Sequence, residues 1–236
     1  MKNIKFWLIP ALFFFVCCVL NLIGCLNYET NTLERTVKPA LMPLLCVTTL
    51  AYLIGKGVKL DKYVALLVCG QLFGFAGDTM LMGSGFIFFA GGIGLFLTGH
   101  IFYLCLFGGF SWKGLSLVKW VIAIAVLLCC TVVLALAIGV EGVMLAPMGI
   151  YAFVLFLLIF SGFAGLVRRR AVKRGNTLTW LLIFCGGLLF TFSDSLIAVR
   201  NFGTISPFMN GFGVMSTYLA AQSLLAVGGV RLIREK

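Results

Sequence analysis

Two acidic side chains lie where the surrounding sequence offers no water. Asp78 stands in FGFAGDTMLM, residues 73–82, and Asp194 in TFSDSLIAV, residues 191–199. Insertion scales put an aspartate at the centre of a membrane helix at about +2.5 to +3.5 kcal/mol, and such residues are usually partnered and functional. Removal from water favours the neutral form of a carboxyl, and two carboxyls held close do not easily both ionise. One protonated and one ionised carboxyl make an acid/base pair. The plainer reading of either residue is a helix-end carboxylate that reaches water or a lysine.

Few other polar groups lie in the apolar stretches. Lys38 opens KPALMPLL; it either snorkels to the interface or holds a lipid phosphate or a carboxylate as a cation above the aspartates. Pro39 suits the first turn of a helix, and Pro43 is expected to kink it one turn on. His100, the one histidine, can share a deeper layer with Gln71, Tyr103 and Gln222. An interhelical hydrogen bond explains it most simply. A zinc hydrolase site wants three protein ligands, commonly several histidines, which a single histidine does not supply. Ser193 and Ser195 flank Asp194, but no G-x-S-x-G occurs. They are expected to help keep Asp194 ionised. The run AGGIGLFLTG follows no strand, so close helix packing explains its glycines better than dinucleotide binding. Nine cysteines lie mostly in apolar runs, where cysteine behaves as a small hydrophobe, and no C-x-x-C pair is present. No metal and no organic cofactor is expected.

The elements that must carry these residues are membrane helices. Of the 236 residues, 62% are hydrophobic and 11% charged, against about 45–50% and about 25% in soluble domains. Eight segments reach the about 20 apolar residues that a span requires: 4–26, 37–55, 61–81, 86–107, 118–138, 143–167, 177–199 and 209–230. The opening run is longer than a signal-peptide core and lacks an A-x-A site, so it reads as the first span. Strands are excluded by the absence of period-2 alternation and by the cost of open edges in lipid. The fold expected is an all-α integral membrane protein, one helical bundle domain over residues 1–236.

Charge orients it. With the N-terminus cytoplasmic, the inner segments hold Lys2, Lys5, Lys56, Lys59, Lys62, Lys113, Lys119, the run RRRAVKR, Arg231, Arg234 and Lys236. These are fifteen of the eighteen basic residues; Arg35, Lys38 and Arg200 remain outside. Eight spans with both termini cytoplasmic fit the positive-inside rule. The net charge of +11 is then an orientation signal that also attracts anionic lipid, and no nucleic-acid partner is needed. Short loops with both termini inside suggest a bacterial plasma membrane. Oligomeric state is not legible.

A four-plus-four parallel repeat is suggested. Asp78 and Asp194 are 116 residues apart (194 − 78), and each follows a phenylalanine-rich stretch and a small residue. Cys17–Cys18 and Cys129–Cys130 recur with a similar offset. Each aspartate falls about 26 Å from the inner start of its segment, whereas His100 is about 21 Å in from the outer start of its own, well below them. Matched depth is what a cooperating pair requires.

The strings TVKPALMPLL (36–45), GFAGDTMLM (74–82), FLTGHIFYLCLF (96–107), TFSDSLIAV (191–199) and YLAAQSLL (218–225), in that order on eight spans, resemble the lysoplasmalogenase (YhhN-like) family of multi-pass membrane hydrolases. The resemblance implies cleavage of the vinyl-ether bond of a lysophospholipid substrate to a fatty aldehyde and a glycerophospho-alcohol. It makes Asp78 and Asp194 the catalytic aspartates. Lys38, His100 and Gln222 match further motif positions, and with Tyr103 and Ser195 they are the candidate substrate-binding residues.

The chemistry agrees with the residues. A vinyl ether is inert to base and labile to acid. It needs a carboxylic acid that keeps its proton and a second carboxylate that stabilises an oxocarbenium ion, as in two-carboxylate glycosidases. Asp78, beside Ala76 and Gly77, is the expected proton donor. A proton-coupled lipid or small-solute transporter is the rival reading, since buried carboxylates and repeats also fit it. An intramembrane aspartyl protease fits less well, because Ala76 replaces the first glycine of G-x-G-D and no Tyr-Asp pair occurs.

Overall fold

The computed structural model describes residues 6–27 and 32–235. Lys2, Lys5, Lys236 and the first two residues of segment 4–26 lie outside them. The described chain is helical, with no strand among the described residues. The helices are α1 (Leu8–Cys25), α2 (Thr32–Gly55), α3 (Lys62–Leu81), α4 (Phe86–Ser111), α5 (Leu117–Ile138), α6 (Leu145–Val167), a short α7 (Arg169–Val172), α8 (Thr177–Phe202) and α9 (Val214–Arg234). A 3₁₀ turn at Gly142–Met144 leads into α6, and a π turn at Met209–Gly213 leads into α9. Eight helices among the described residues are long and apolar enough to cross a membrane. The protein is an integral multi-pass membrane protein.

The helices that carry the two aspartates start at side-chain caps. Asp61 accepts from the main-chain N–H of Tyr63 and Val64 at 2.9 and 3.1 Å, starting α3. Asn176 accepts from Thr179 N at 3.0 Å, starting α8. Such caps satisfy N–H groups that a helix start otherwise leaves orphaned. At its other end, α5 stops where Gly139 turns to φ 74°, a conformation that suits glycine.

The α2 start departs from expectation. The helix begins at Thr32, not 37, so Pro39 is not in the first turn and both Pro39 and Pro43 are interior, with the helix assigned unbroken through them. Hydropathy misses Thr32–Thr36 because four of these five residues are polar or charged, and such residues form helix readily outside the hydrocarbon. Interior proline is tolerated where neighbouring groups satisfy the freed carbonyls.

Packing divides the chain into two compact units, residues 1–102 and 103–236. In the first, α1 packs on α2 and α2 on α3, and α3 meets α4 through glycines. A Cβ on Gly77 would collide with the Phe96 ring, and one on Gly99 would come 3.0 Å from the Gly70 carbonyl oxygen. In the second, α5 packs on α6, α6 on α8 and α8 on α9. Here Gly162 lies against the Phe184 backbone, Gly165 under the Trp180 ring, and Gly187 against Ile159. Small residues let membrane helices approach closely where no hydrophobic effect drives them together.

Candidate active site

Asp78 belongs to the buried stripe of α3. Val64, Leu67, Gln71, Gly74 and Asp78 recur at alternating spacings of three and four residues, which places them on one helix face. Asp78 is 4% exposed. Its neighbour Gly77 is covered by the Phe96 ring of α4. The Phe96 carbonyl in turn holds His100, whose Nδ1 lies 2.7 Å away. A carbonyl only accepts, so Nδ1 carries the hydrogen. Gly77, the residue before Asp78, and His100 therefore meet the same phenylalanine.

This alters the expected depth of His100. Leu81 packs on Gly92, the seventh residue of α4, so α4 begins well beyond the end of α3. The Gly77–Phe96 and Gly99–Gly70 contacts then bring His100 level with Gln71 and Leu72. That leaves about 9 Å of rise between it and Asp78, less than the sequence spacing suggested. Gln71 is fully buried, and its Nε2 donates to Thr49 Oγ1 of α2 at 3.0 Å.

At the end of α3, Arg35 Nη2 of α2 donates to the Met82 carbonyl at 3.0 Å. Together with the Thr49–Gln71 pair this fixes the α2–α3 register, and it puts half-buried Lys38 level with the last turn of α3. Lys38 thus stands within about one turn of Asp78 along the bundle.

Asp194 is 8% exposed and lies on a buried stripe of α8 with Ile183, Gly187, Phe190 and Ala198. It falls 17 residues after Thr177, as Asp78 falls 16 after Lys62, so each carboxyl is about 24–26 Å along its helix. Tyr151 of α6 donates a hydrogen bond to Asp194 Oδ2. The expected serine partners are engaged elsewhere. Ser193 Oγ donates to Val214 O of α9 at 3.1 Å, and Ser195 Oγ to Thr191 O at 2.7 Å. A hydroxyl has one hydrogen, and each of these two is given to the main chain. Ser195 still lines the cleft described next.

Asp194, Ser195 and Tyr151 border a cleft between the end of α5, the start of α6 and α8. Its other walls are apolar, among them Leu134, Ile138, Met148, Ala152, Leu155 and Ala198. Sequence reasoning missed Tyr151. The one signal was that it is the single tyrosine in a span whose only other polar side chain is Ser161.

Tyr103 and Gln222, expected in one layer, meet directly: Tyr103 Oη donates to Gln222 Oε1 at 3.0 Å, and Gln222 Nε2 lies 3.4 Å from Tyr218 Oη. Among the described residues no three His, Cys, Asp or Glu side chains gather as metal ligands would. What Asp194, the tyrosine and the apolar cleft offer is a carboxyl, hydrogen-bonded by a phenol, beside space for a hydrocarbon chain.

Known proteins are similar to this chain along most of its length. The YhhN family matches residues 33–229, a range that contains all five strings quoted above. "Lysoplasmalogenase TMEM86B" of Mus musculus is 26% identical over 236 residues, covering 97% of this chain and 88% of that protein. "Lysoplasmalogenase TMEM86A" of Homo sapiens is 26% identical over 219 residues, covering 92% of this chain and 87% of that protein. No solved structure matches. On a match that spans most of its length, from α2 to α9, this chain belongs to the YhhN family.

Proposed function

We propose that this protein is a membrane hydrolase that cleaves the vinyl-ether bond of lysoplasmalogens, yielding a fatty aldehyde and a glycerophospho-alcohol. The observation that carries this is a buried carboxyl, Asp194, held by a tyrosine at an otherwise apolar cleft, in a chain of the YhhN family. A lysolipid presents that combination of needs: hydrocarbon to be housed, and an acid-labile bond beside it.

In this reading Asp78 gives its proton to the outer alkene carbon. A C–H bond forms and the positive charge moves to the ether oxygen as an oxocarbenium ion, which the Asp194 carboxylate stabilises. Water adds to the cationic carbon as Asp194 takes one of its protons. The resulting hemiacetal collapses: its hydroxyl proton returns to Asp78, the carbonyl forms, the C–O bond to glycerol breaks, and Asp194 protonates the departing oxygen. Both carboxyls end as they began.

The cleft walls would take the first part of the hydrocarbon chain. Lys38 would meet the phosphate, with Arg35 beside it. His100, Tyr103, Ser195 and Gln222 would complete the substrate's surroundings. By charge distribution we assign both termini to the cytoplasmic side, and by the short loops the protein to a bacterial plasma membrane, its lipid entering from the outer side.

The test is aldehyde release by the purified protein in detergent micelles, given vinyl-ether, alkyl-ether and acyl lysolipids side by side. Turnover of the vinyl ether alone is expected. Equal turnover of the acyl lipid would make the protein an ordinary lysophospholipase. No turnover of any would leave transport as the better reading.

A further inference from the structure

We infer that Tyr151 is a positioning residue that holds Asp194 as the proton-accepting carboxylate of the pair, an inference that rests on the vinyl-ether reading above.

The geometry comes from the backbone. Along the α6–α8 interface, Gly165 faces Trp180, Gly162 faces Phe184, and Ile159 faces Gly187. Steps of three residues along α6 are matched by steps of four and then three in the opposite direction along α8. Continued toward the start of α6, the same register brings Tyr151 opposite Asp194, where its hydroxyl reaches Oδ2. Three contacts at glycine thus deliver the phenol. Its ring is buried, 5% exposed, so its aim is set by packing.

The chemistry follows from what a phenol can do. It has one hydrogen and gives it to Oδ2, so that oxygen acts as an acceptor. The bond spreads the carboxylate's charge and fixes the rotation of the carboxyl group. The reaction needs from Asp194 a negative charge beside the oxocarbenium ion and a lone pair for a proton of water. Both are properties of the ionised form in a fixed orientation. The flanking Ser193 and Ser195 hydroxyls are turned to main-chain carbonyls. Asp78 is left the proton donor. The phenol itself keeps its hydrogen throughout and touches no reacting atom.

The experiment uses the full-length protein in detergent micelles, with Tyr151→Phe, Asp194→Asn and the double variant compared with wild type on vinyl-ether lysolipid. Tyr151→Phe removes only the hydroxyl. We expect it to lower kcat by about 10- to 100-fold, with KM within about twofold and the thermal midpoint unchanged. The double variant should be no slower than Asp194→Asn alone, because the tyrosine acts through that aspartate. Wild-type kcat in Tyr151→Phe would overturn the inference, and so would a raised KM at constant kcat, which would make Tyr151 a binding residue. If Tyr151→Phe does not fold, 3-fluorotyrosine at position 151 keeps the shape and changes the donor: altered kcat at constant KM supports the role, and unaltered kcat overturns it. A wild-type protein silent on vinyl ether overturns the functional reading and this inference with it; an active wild type with an equally active Tyr151→Phe overturns this inference alone.

Discussion

Gly162 of α6 lies against the backbone of Phe184 in α8, so close that a Cβ on the glycine would fall 2.5 Å from the Phe184 Cα. The two helices meet there because no side chain intervenes. The register so fixed runs three turns on to Tyr151 and Asp194.

Gly162→Ala should therefore act in two ways. The helices must separate, at a stability cost of about 1–3 kcal/mol. The Tyr151–Asp194 bond should also loosen, so activity falls even at temperatures where the variant stays folded. Gly94 of α4, with no atom within 4 Å of a built Cβ, is the control: Gly94→Ala should be neutral or slightly stabilising. Thermal unfolding in detergent, paired with aldehyde release, separates the two effects. Equal behaviour of both variants would mean that the α6–α8 contact does not position the site.

Lys38 tests the headgroup. If it binds the substrate phosphate, Lys38→Met should raise KM about 10- to 100-fold, the worth of one charge-assisted hydrogen bond of about 1.5–3 kcal/mol. Lys38→Arg should retain most of the affinity. A vinyl-ether glyceride without phosphate should be cleaved alike by all three proteins. A Lys38→Met defect that persists on the phosphate-free substrate would put the lysine in another role.

Ala152 tests the cleft. It is half-buried on the cleft wall beside Tyr151. Ala152→Phe should fill space meant for hydrocarbon and lower kcat/KM for long-chain substrate by about tenfold, the worth of one or two buried methylenes. A short-chain analogue should lose much less. An equal loss at every chain length would show that the chain lies elsewhere.

Orientation has its own check. Reporters fused at either end should both read as cytoplasmic, and a cysteine placed at Gly203, after α8, should be labelled from outside. The opposite pattern would reverse the side from which substrate enters.

The helices were legible because lipid imposes one rule: every main-chain group must be satisfied within the segment. Residues 118–138 and 143–167 were found almost to the residue as α5 and α6. Ends were lost where a helix runs past the hydrocarbon, as at Thr32 in α2, Ser111 in α4 and Phe202 in α8, since hydropathy reports depth and not helicity. Asp78 and Asp194 were conspicuous as charges among apolar residues. Tyr151 was not, because a tyrosine in an apolar span reads as core, and its position opposite Asp194 depends on a register set by glycines far along α6. The pairing of Gln71 with Thr49 was hidden likewise: threonine is common in apolar helices, where it bonds to its own main chain, as Thr49 does to Leu45 O at 2.9 Å.

The most direct measurement is aldehyde release from vinyl-ether lysolipid by Asp78→Asn and Asp194→Asn, each purified, folded and compared with wild type in micelles. Both amides keep the shape and remove the acid. Each should lower turnover by about a thousandfold or more, a loss on the scale of about 4 kcal/mol in the barrier, with the thermal midpoint preserved. Wild-type turnover in either folded variant would contradict the assignment of the chemistry to these two carboxyls.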